Sequence, residues 1–174
     1  MLKLKYLMLL FLIIPIVAST KDASGQFDVS PVLFLSCTQC RINSNLVLTA
    51  GIKNEGERPV NVYSLLGWGN LAGLVFHVED SMGKEIVSKE LDDTLIVPST
   101  LGDRSYYDKL FRGHSLLVSL NIPMKSFFKK YGTYKIWVVY RSPVPQSSSL
   151  LKENFLSYED GPLVSSKVTI IISP

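Results

Sequence analysis

The chain has 174 residues, 47% of them apolar, with 18 basic and 15 acidic side chains. Lys3, Lys5 and Lys21 against Asp22 fall in the first 25 residues, so residues 26–174 hold 15 basic and 14 acidic groups and are near neutral. Such a balance leaves no basic stripe for nucleic acid, and the length suits one domain with a complete core and little more.

Residues 1–25 read as a secretory signal peptide. Lys3 and Lys5 precede the apolar run Leu7 to Val17, and the segment from Ala18-Ser19-Thr20 to Gly25 is small and polar. The run is too short for a bilayer span, so no transmembrane segment is expected after leader cleavage and the protein is expected to be secreted or periplasmic. Cleavage after Ser19 and after Gly25 both satisfy the small-residue rule, with Val17 or Ala23 three positions back. Neither junction carries a Cys for a lipid anchor. Residues 26–174 are expected to form one domain.

The two cysteines, Cys37 and Cys40, lie in Ser36-Cys37-Thr38-Gln39-Cys40-Arg41. In an exported chain a local disulfide is expected. Redox and metal-binding pairs are the alternatives. The flanking segments read as strands, however, and no helix follows to lower a thiol pKa as in thioredoxin-type pairs. Arg41 in place of His departs from c-type haem attachment.

After the leader, period-two patterns dominate. Val32 to Leu35 ends a first strand, and Leu46, Leu48, Ala50 and Ile52 share one face of the next. Asn54-Glu55-Gly56-Glu57-Arg58-Pro59 has turn chemistry, so Val60, Val62 and Ser64 are expected to return as a hairpin. Beyond Gly67-Trp68-Gly69-Asn70, Leu74, Phe76 and Val78 share a face, and Asp80-Ser81-Met82-Gly83-Lys84 reads as a turn into an antiparallel strand from Glu85. Further strands are expected at His114 to Asn121, Thr133 to Arg141 and Ser166 to Ser173, with a short extra one at Leu95 to Val97. Two long connections, Leu91 to Gly113 and Ser142 to Leu163, are of the length that is functional or disordered in a compact domain.

In the strand after Gly132, Tyr134, Ile136, Val138 and Tyr140 form one face and Lys135, Trp137, Val139 and Arg141 the other. The first face is the expected core. Tyr134 sits where a tyrosine corner places its ring, two residues before the position at which antibody domains have their second Cys, here Ile136. The expected fold is therefore all-β: an immunoglobulin-like antiparallel β-sandwich of about eight strands without the inter-sheet disulfide, preceded by a signal peptide.

The succession Leu46 to Ile52-Lys53-Asn54-Glu55-Gly56, Phe111-Arg112-Gly113-His114-Ser115 and Tyr131-Gly132-Thr133-Tyr134-Lys135-Ile136, closed by Gly161-Pro162-Leu163-Val164-Ser165-Ser166-Lys167-Val168, resembles a known group. It is similar to the bacterial immunoglobulin-like modules that precede the catalytic domain of deuterolysin-type peptidyl-Lys metalloendopeptidases, and to small bacterial proteinase-inhibitor sandwiches. The resemblance runs from about Phe27 to Pro174. It implies a sandwich fold and a protease as partner. The His-Glu-x-x-His helix of such a peptidase is absent from this sequence, so the resemblance implies the accessory module alone.

No nucleophile elbow, phosphate loop or dinucleotide fingerprint is present. His77 alternates away from the apolar face of its strand and His114 follows a turn glycine; both read as surface residues, as do the adjacent acids Asp92-Asp93 and Glu159-Asp160. The cluster Lys125, Lys129 and Lys130 reads as a solvated loop edge. No metal or cofactor is expected, and no catalytic residue is assigned. The candidate binding residues are aromatic and cationic: Trp68 on a Gly-flanked loop, Tyr106 and Tyr107, and Trp137 with Lys135 and Arg141. Set against this, Trp68 suits a core position, and the segment from Ser142 to Leu163 suits a cover over Trp137. The expected function is a non-enzymatic exported module that binds a protein partner, a protease in particular; the alternative is a carbohydrate or small-ligand binding domain of the cell envelope.

Overall fold

Alternation along Leu46 to Ile52 sets the first layer: Leu46, Leu48, Ala50 and Ile52 are fully buried, and the intervening side chains point outward. The computed structural model describes residues 27–68, 73–86, 104–144, 154–157 and 160–174. The leader and the extra strand at Leu95 to Val97 lie outside the described residues.

In chain order the strands are β1 (Val29–Leu35), β2 (Gln39–Arg41), β3 (Asn45–Asn54), β4 (Val60–Tyr63), β5 (Gly67–Trp68), β6 (Gly73–Asp80), β7 (Glu85–Ile86), β8 (Tyr107–Leu110), β9 (Ser115–Pro123), β10 (Gly132–Tyr140), β11 (Leu163–Val164) and β12 (Val168–Ser173). A single helical turn, α1 (Met124–Phe127), joins β9 to the connection before β10. One antiparallel sheet has the order β1-β3-β9. A second has the order β2-β12-β10-β6-β5, with β11 paired to β10 and β7 to β6. A third, small pair joins β4 and β8.

The two larger sheets share one core. Leu46, Leu48 and Ile52 of the first meet Leu74, Val78, Ile136, Val138 and Ile170 of the second in a continuous buried cluster. This is an all-β sandwich. In β10, Tyr134, Ile136, Val138 and Tyr140 are all buried while Lys135 is exposed and Trp137 half-buried. The Tyr134 hydroxyl donates to the Lys130 carbonyl at 2.8 Å, the local bond that ties a tyrosine-corner ring to the backbone just upstream.

Cys37 and Cys40 form a disulfide with their Cα atoms 5.7 Å apart. The bridge spans the bend by which the chain leaves β1 in the first sheet and enters β2, which runs parallel to β12 in the second. Cys40 is buried in the core at that crossing.

One expected pairing is corrected. β4 does not return along β3 as a hairpin; β3 is flanked by β1 and β9, and β4 pairs with β8. The cause is Asn54, a buried polar residue at the end of β3. Its amide nitrogen donates to the carbonyls of Arg58 (2.8 Å) and Leu110 (3.0 Å), and its oxygen accepts the Gly56 N–H. The N–H groups of Glu55 and Gly56 donate to Asp28. The turn is thereby fixed to two other segments, at Asp28 and Leu110, and carries the chain out of the sheet.

The turn at Asp80 forms as its composition dictates. Gly83 takes φ 78°, the Asp80 carboxylate accepts the N–H groups of Met82 and Lys84, and β7 returns antiparallel to β6.

Candidate functional site

The outer face of the larger sheet carries a cluster built from three strands and the residue that precedes a fourth. The β6–β10 register sets Trp137 opposite His77 and Lys135 opposite Glu79; β7 adds Glu85 beside Glu79, and Lys167 lies just before β12. Alternation requires these side chains to share the solvent-facing side, because their neighbours Val78, Ile136 and Val138 fill the core.

Trp137 is held by two neighbours. The His77 imidazole stacks against the indole with centroids 5.1 Å apart and planes within 8°. The Lys167 ammonium lies 4.2 Å from the indole ring centre, a cation–π distance. β6, which carries His77, and β12, which follows Lys167, flank β10. Each neighbour has a carboxylate behind it. His77 Nδ1 is 2.5 Å from Glu85 Oε1, and Lys167 Nζ donates to Glu79 Oε2 at 2.6 Å, with Lys135 Nζ at 3.6 Å from the other Glu79 oxygen. The hydrogen bond from Lys167, helped by the charge of Lys135, holds the Glu79 carboxyl below the usual carboxylate range against the opposing effect of desolvation.

The structure thus brings Lys135 and Trp137 together and adds His77, Glu79, Glu85 and Lys167. The sequence signal for His77 was its alternation away from the apolar face; nothing local marked Glu79 or Lys167, which meet across 88 positions of the chain.

Comparison with known proteins gives no relative by sequence: no family model matches, and no curated protein matches. Among solved structures the chain is similar to a β-glucosidase from Listeria innocua in complex with isofagomine, at 11% identity and a TM-score of 0.41, over 86% of this chain. It spans 16% of the length of that enzyme. A CARDB domain from Pyrococcus furiosus, in complex with di-metal ions, is similar at 11% identity and a TM-score of 0.38, over 85% of this chain and 90% of that one. The yjhA protein from Bacillus subtilis is similar at 14% identity and a TM-score of 0.31, over 84% of this chain and 93% of that one.

The remaining sequence candidates lie elsewhere in the fold. Trp68, in β5, is 3% exposed and belongs to the core cluster, so its ring is not available as a surface platform; the correction follows from its pairing beside Leu74, whose side faces inward. Tyr107 packs edge-on against Phe155 (4.8 Å) and Tyr63 (5.8 Å) in the small β4–β8 layer, away from Trp137. Tyr106 is half-buried in the turn before β8, where its carbonyl accepts the Ser64 N–H at 2.8 Å. Arg141 follows the end of β10, its side exposed and its N–H donated to the Gly73 carbonyl at 2.8 Å.

The expected cover over Trp137 is also not formed by the described part of the connection from Ser142 to Leu163. Phe155 bridges to Asn61 of β4 and packs on Tyr107, on the β4–β8 side of the molecule. Cys37 and Cys40 are bonded to each other, so neither sulfur is a free thiolate for metal or nucleophilic chemistry. Among the described residues no group of three His, Cys, Asp or Glu side chains gathers as metal ligands, and no helix is long and apolar enough to cross a membrane.

Proposed function

We propose that this chain is an exported, non-enzymatic, immunoglobulin-like module, freed of residues 1–25 as a signal peptide, that binds a protein partner through the outer face around Trp137. The observation that carries the reading is the restrained indole: Trp137 is half-buried, stacked on His77 and covered by Lys167, so little side-chain entropy is lost when a partner packs on it. The charged residues around it, Lys135, Glu79 and Glu85, form a polar rim of the kind that surrounds interface anchors. A co-secreted protease is the favoured partner, because the strand and turn motifs are similar to those of protease-accessory and proteinase-inhibitor sandwiches.

A carbohydrate platform is the competing reading. It requires an open aromatic face, whereas the indole is stacked against His77 and has the Lys167 ammonium over its ring. The test is capture from culture and envelope fractions with residues 26–174 as bait, beside a Trp137→Ala bait. Recovery of a protease or envelope protein by the parent and its loss from the variant supports the proposal. Equal recovery by both baits, or retention on cell-wall glycan with no protein partner, overturns it.

A further inference from the structure

We infer that a second site, separate from the Trp137 face, binds an anion: the groove between the turn after β2 and the connection from α1 to β10. The groove encloses about 510 Å³ and is lined by Ile42, Asn43, Lys125, Lys129, Lys130 and Tyr131. A shallower extension shares Ile42, Asn43 and Lys125. Three lysines therefore border one concavity, and among the described residues its lining holds no carboxylate.

Among the described residues no side-chain carboxylate is paired with these lysines. The glutamates Glu55, Glu57, Glu79 and Glu85 pair with Lys53, Arg112, Lys135 and Lys167, and His77, all elsewhere. Asp80 and Asp160 are engaged by hydrogen bonds in their own turns. Among the described residues no ion pair involves Lys125, Lys129 or Lys130; Lys129 Nζ donates to the Ser126 carbonyl at 3.0 Å. Like charges gathered without a counter-ion raise the local potential, and an incoming anion lowers it.

Both walls are held in place. On one side the Ile42 N–H donates to Ser173, and Ser44 donates through N–H and hydroxyl to Arg41. On the other, Phe127 and Phe128 are buried anchors, Met124 N–H donates to Ser44, and the Tyr134 hydroxyl donates to the Lys130 carbonyl. The buried ring of Tyr134 thus fixes the backbone that carries Lys130. What the sequence offers as a solvated loop edge is a braced cationic rim.

The ligand class follows from the lining. Lysine ammonium groups act as point charges and suit a compact dianion, a phosphate or paired carboxylates. The Asn43 amide supplies a hydrogen-bonding group, and Ile42 with the 61% exposed Tyr131 supplies apolar surface for a ring or chain attached to that anion.

The test uses the purified full chain labelled with nitrogen-15, titrated separately with inorganic phosphate, phenyl phosphate, phthalate and neutral phenyl glucoside. Saturable amide shifts are expected at residues 42–43 and 125–131 with the three anions, and tighter binding is expected for phenyl phosphate than for inorganic phosphate. Lys125→Gln/Lys129→Gln/Lys130→Gln is expected to weaken phenyl phosphate by roughly tenfold to a hundredfold, with the triple Arg variant retaining binding. Tyr131→Ala is expected to remove the advantage of phenyl phosphate over inorganic phosphate. The relative affinities of phosphate and phthalate assign the headgroup. Shifts that do not saturate, binding unchanged in the folded triple Gln variant, or equal binding of phenyl glucoside would each overturn the inference. The Trp137→Ala variant is expected to bind the anions normally, so this test and that of the protein-partner reading fail independently.

Discussion

His77 and Trp137 face each other across β6 and β10 with their rings parallel and 5.1 Å apart, and Glu79 holds the lysine that covers the indole. Because Glu79 has a folded pKa below its unfolded value, the folded state binds fewer protons there. Its contribution is present above about pH 4.3 and is lost as pH falls through the depressed folded value. Protonation frees Lys167 from its anchor over the ring. Trp137 emission is therefore expected to change with a midpoint below the ordinary glutamate range, and the change is expected to vanish in Glu79→Gln. Fluorescence titration of both proteins checks this; an identical transition in the variant would refute the role of Glu79.

Asn54 offers a larger effect on stability. Its side chain is buried and satisfies three backbone groups, at Arg58, Leu110 and Gly56. Asn54→Ala leaves those groups unpaired and is expected to destabilise the fold by roughly 2 to 4 kcal/mol. Asn54→Asp sets a carboxylate against two carbonyl oxygens, so its own folded pKa is expected to rise. The Asp variant is then expected to be weaker than Ala at neutral pH and to recover as the pH is lowered. Urea denaturation at two pH values distinguishes the two substitutions.

This residue also marks the boundary of what was legible in the sequence. The faces of β3 and β10, and the turn at Asp80, were readable because alternation and glycine placement are local signals. The route after β3 was not, since the composition from Asn54 to Pro59 suits a hairpin and a sheet crossing equally. The choice is made by bonds to Leu110 and Asp28, which are distant in the chain. The surface cluster was half legible for the same reason. Lys135 and Trp137 lie on one strand, while His77, Glu79 and Lys167 arrive by strand order and register. Trp68 was ambiguous because flanking glycines signal a loop and an inward-facing short strand alike.

Gly51 is required by the approach of β9. A Cβ built there would lie 1.8 Å from the Leu116 carbonyl oxygen, a backbone atom that cannot rotate away. Gly51→Ala is expected to cost about 3 kcal/mol, or to force β3 and β9 apart locally. Thermal denaturation gives the loss, and hydrogen exchange at the β9 amides tells whether the pairing opens. Unchanged stability and exchange would show that the strands can separate freely here.

The disulfide has a limited reach. Cys37 and Cys40 close a loop of only a few residues, so Cys37→Ala/Cys40→Ala is expected to lower stability by about 2 kcal/mol, the low end for such bonds. The loss is expected to be concentrated in β2, whose parallel pairing with β12 begins at Gln39 between the two cysteines. Amide exchange should accelerate at Gln39 to Arg41 far more than at Tyr134 to Tyr140. Uniform acceleration would assign the bridge to global stability instead.

Three buried polar atoms, the hydroxyls of Tyr63 and Tyr140 and the indole nitrogen of Trp68, make no hydrogen bond among the described residues. Ser142 lies near Tyr140, but its hydroxyl donates to the Leu156 carbonyl at 2.5 Å and accepts from the Val144 N–H. Removing an unsatisfied hydroxyl relieves a desolvation penalty, so Tyr140→Phe and Tyr63→Phe are each expected to leave stability unchanged or raise it by about 1 kcal/mol. Burial also pushes both phenols above their ordinary pKa. A raised folded pKa means that stability is complete below about pH 10 and is lost as pH rises further, because the unfolded tyrosine ionises first. Tyr140→Phe is expected to flatten that alkaline decline, which denaturant titrations across the range would measure. A clear loss of stability at neutral pH on either substitution would mean that the hydroxyl is satisfied in solution, by a buried water bridging these groups.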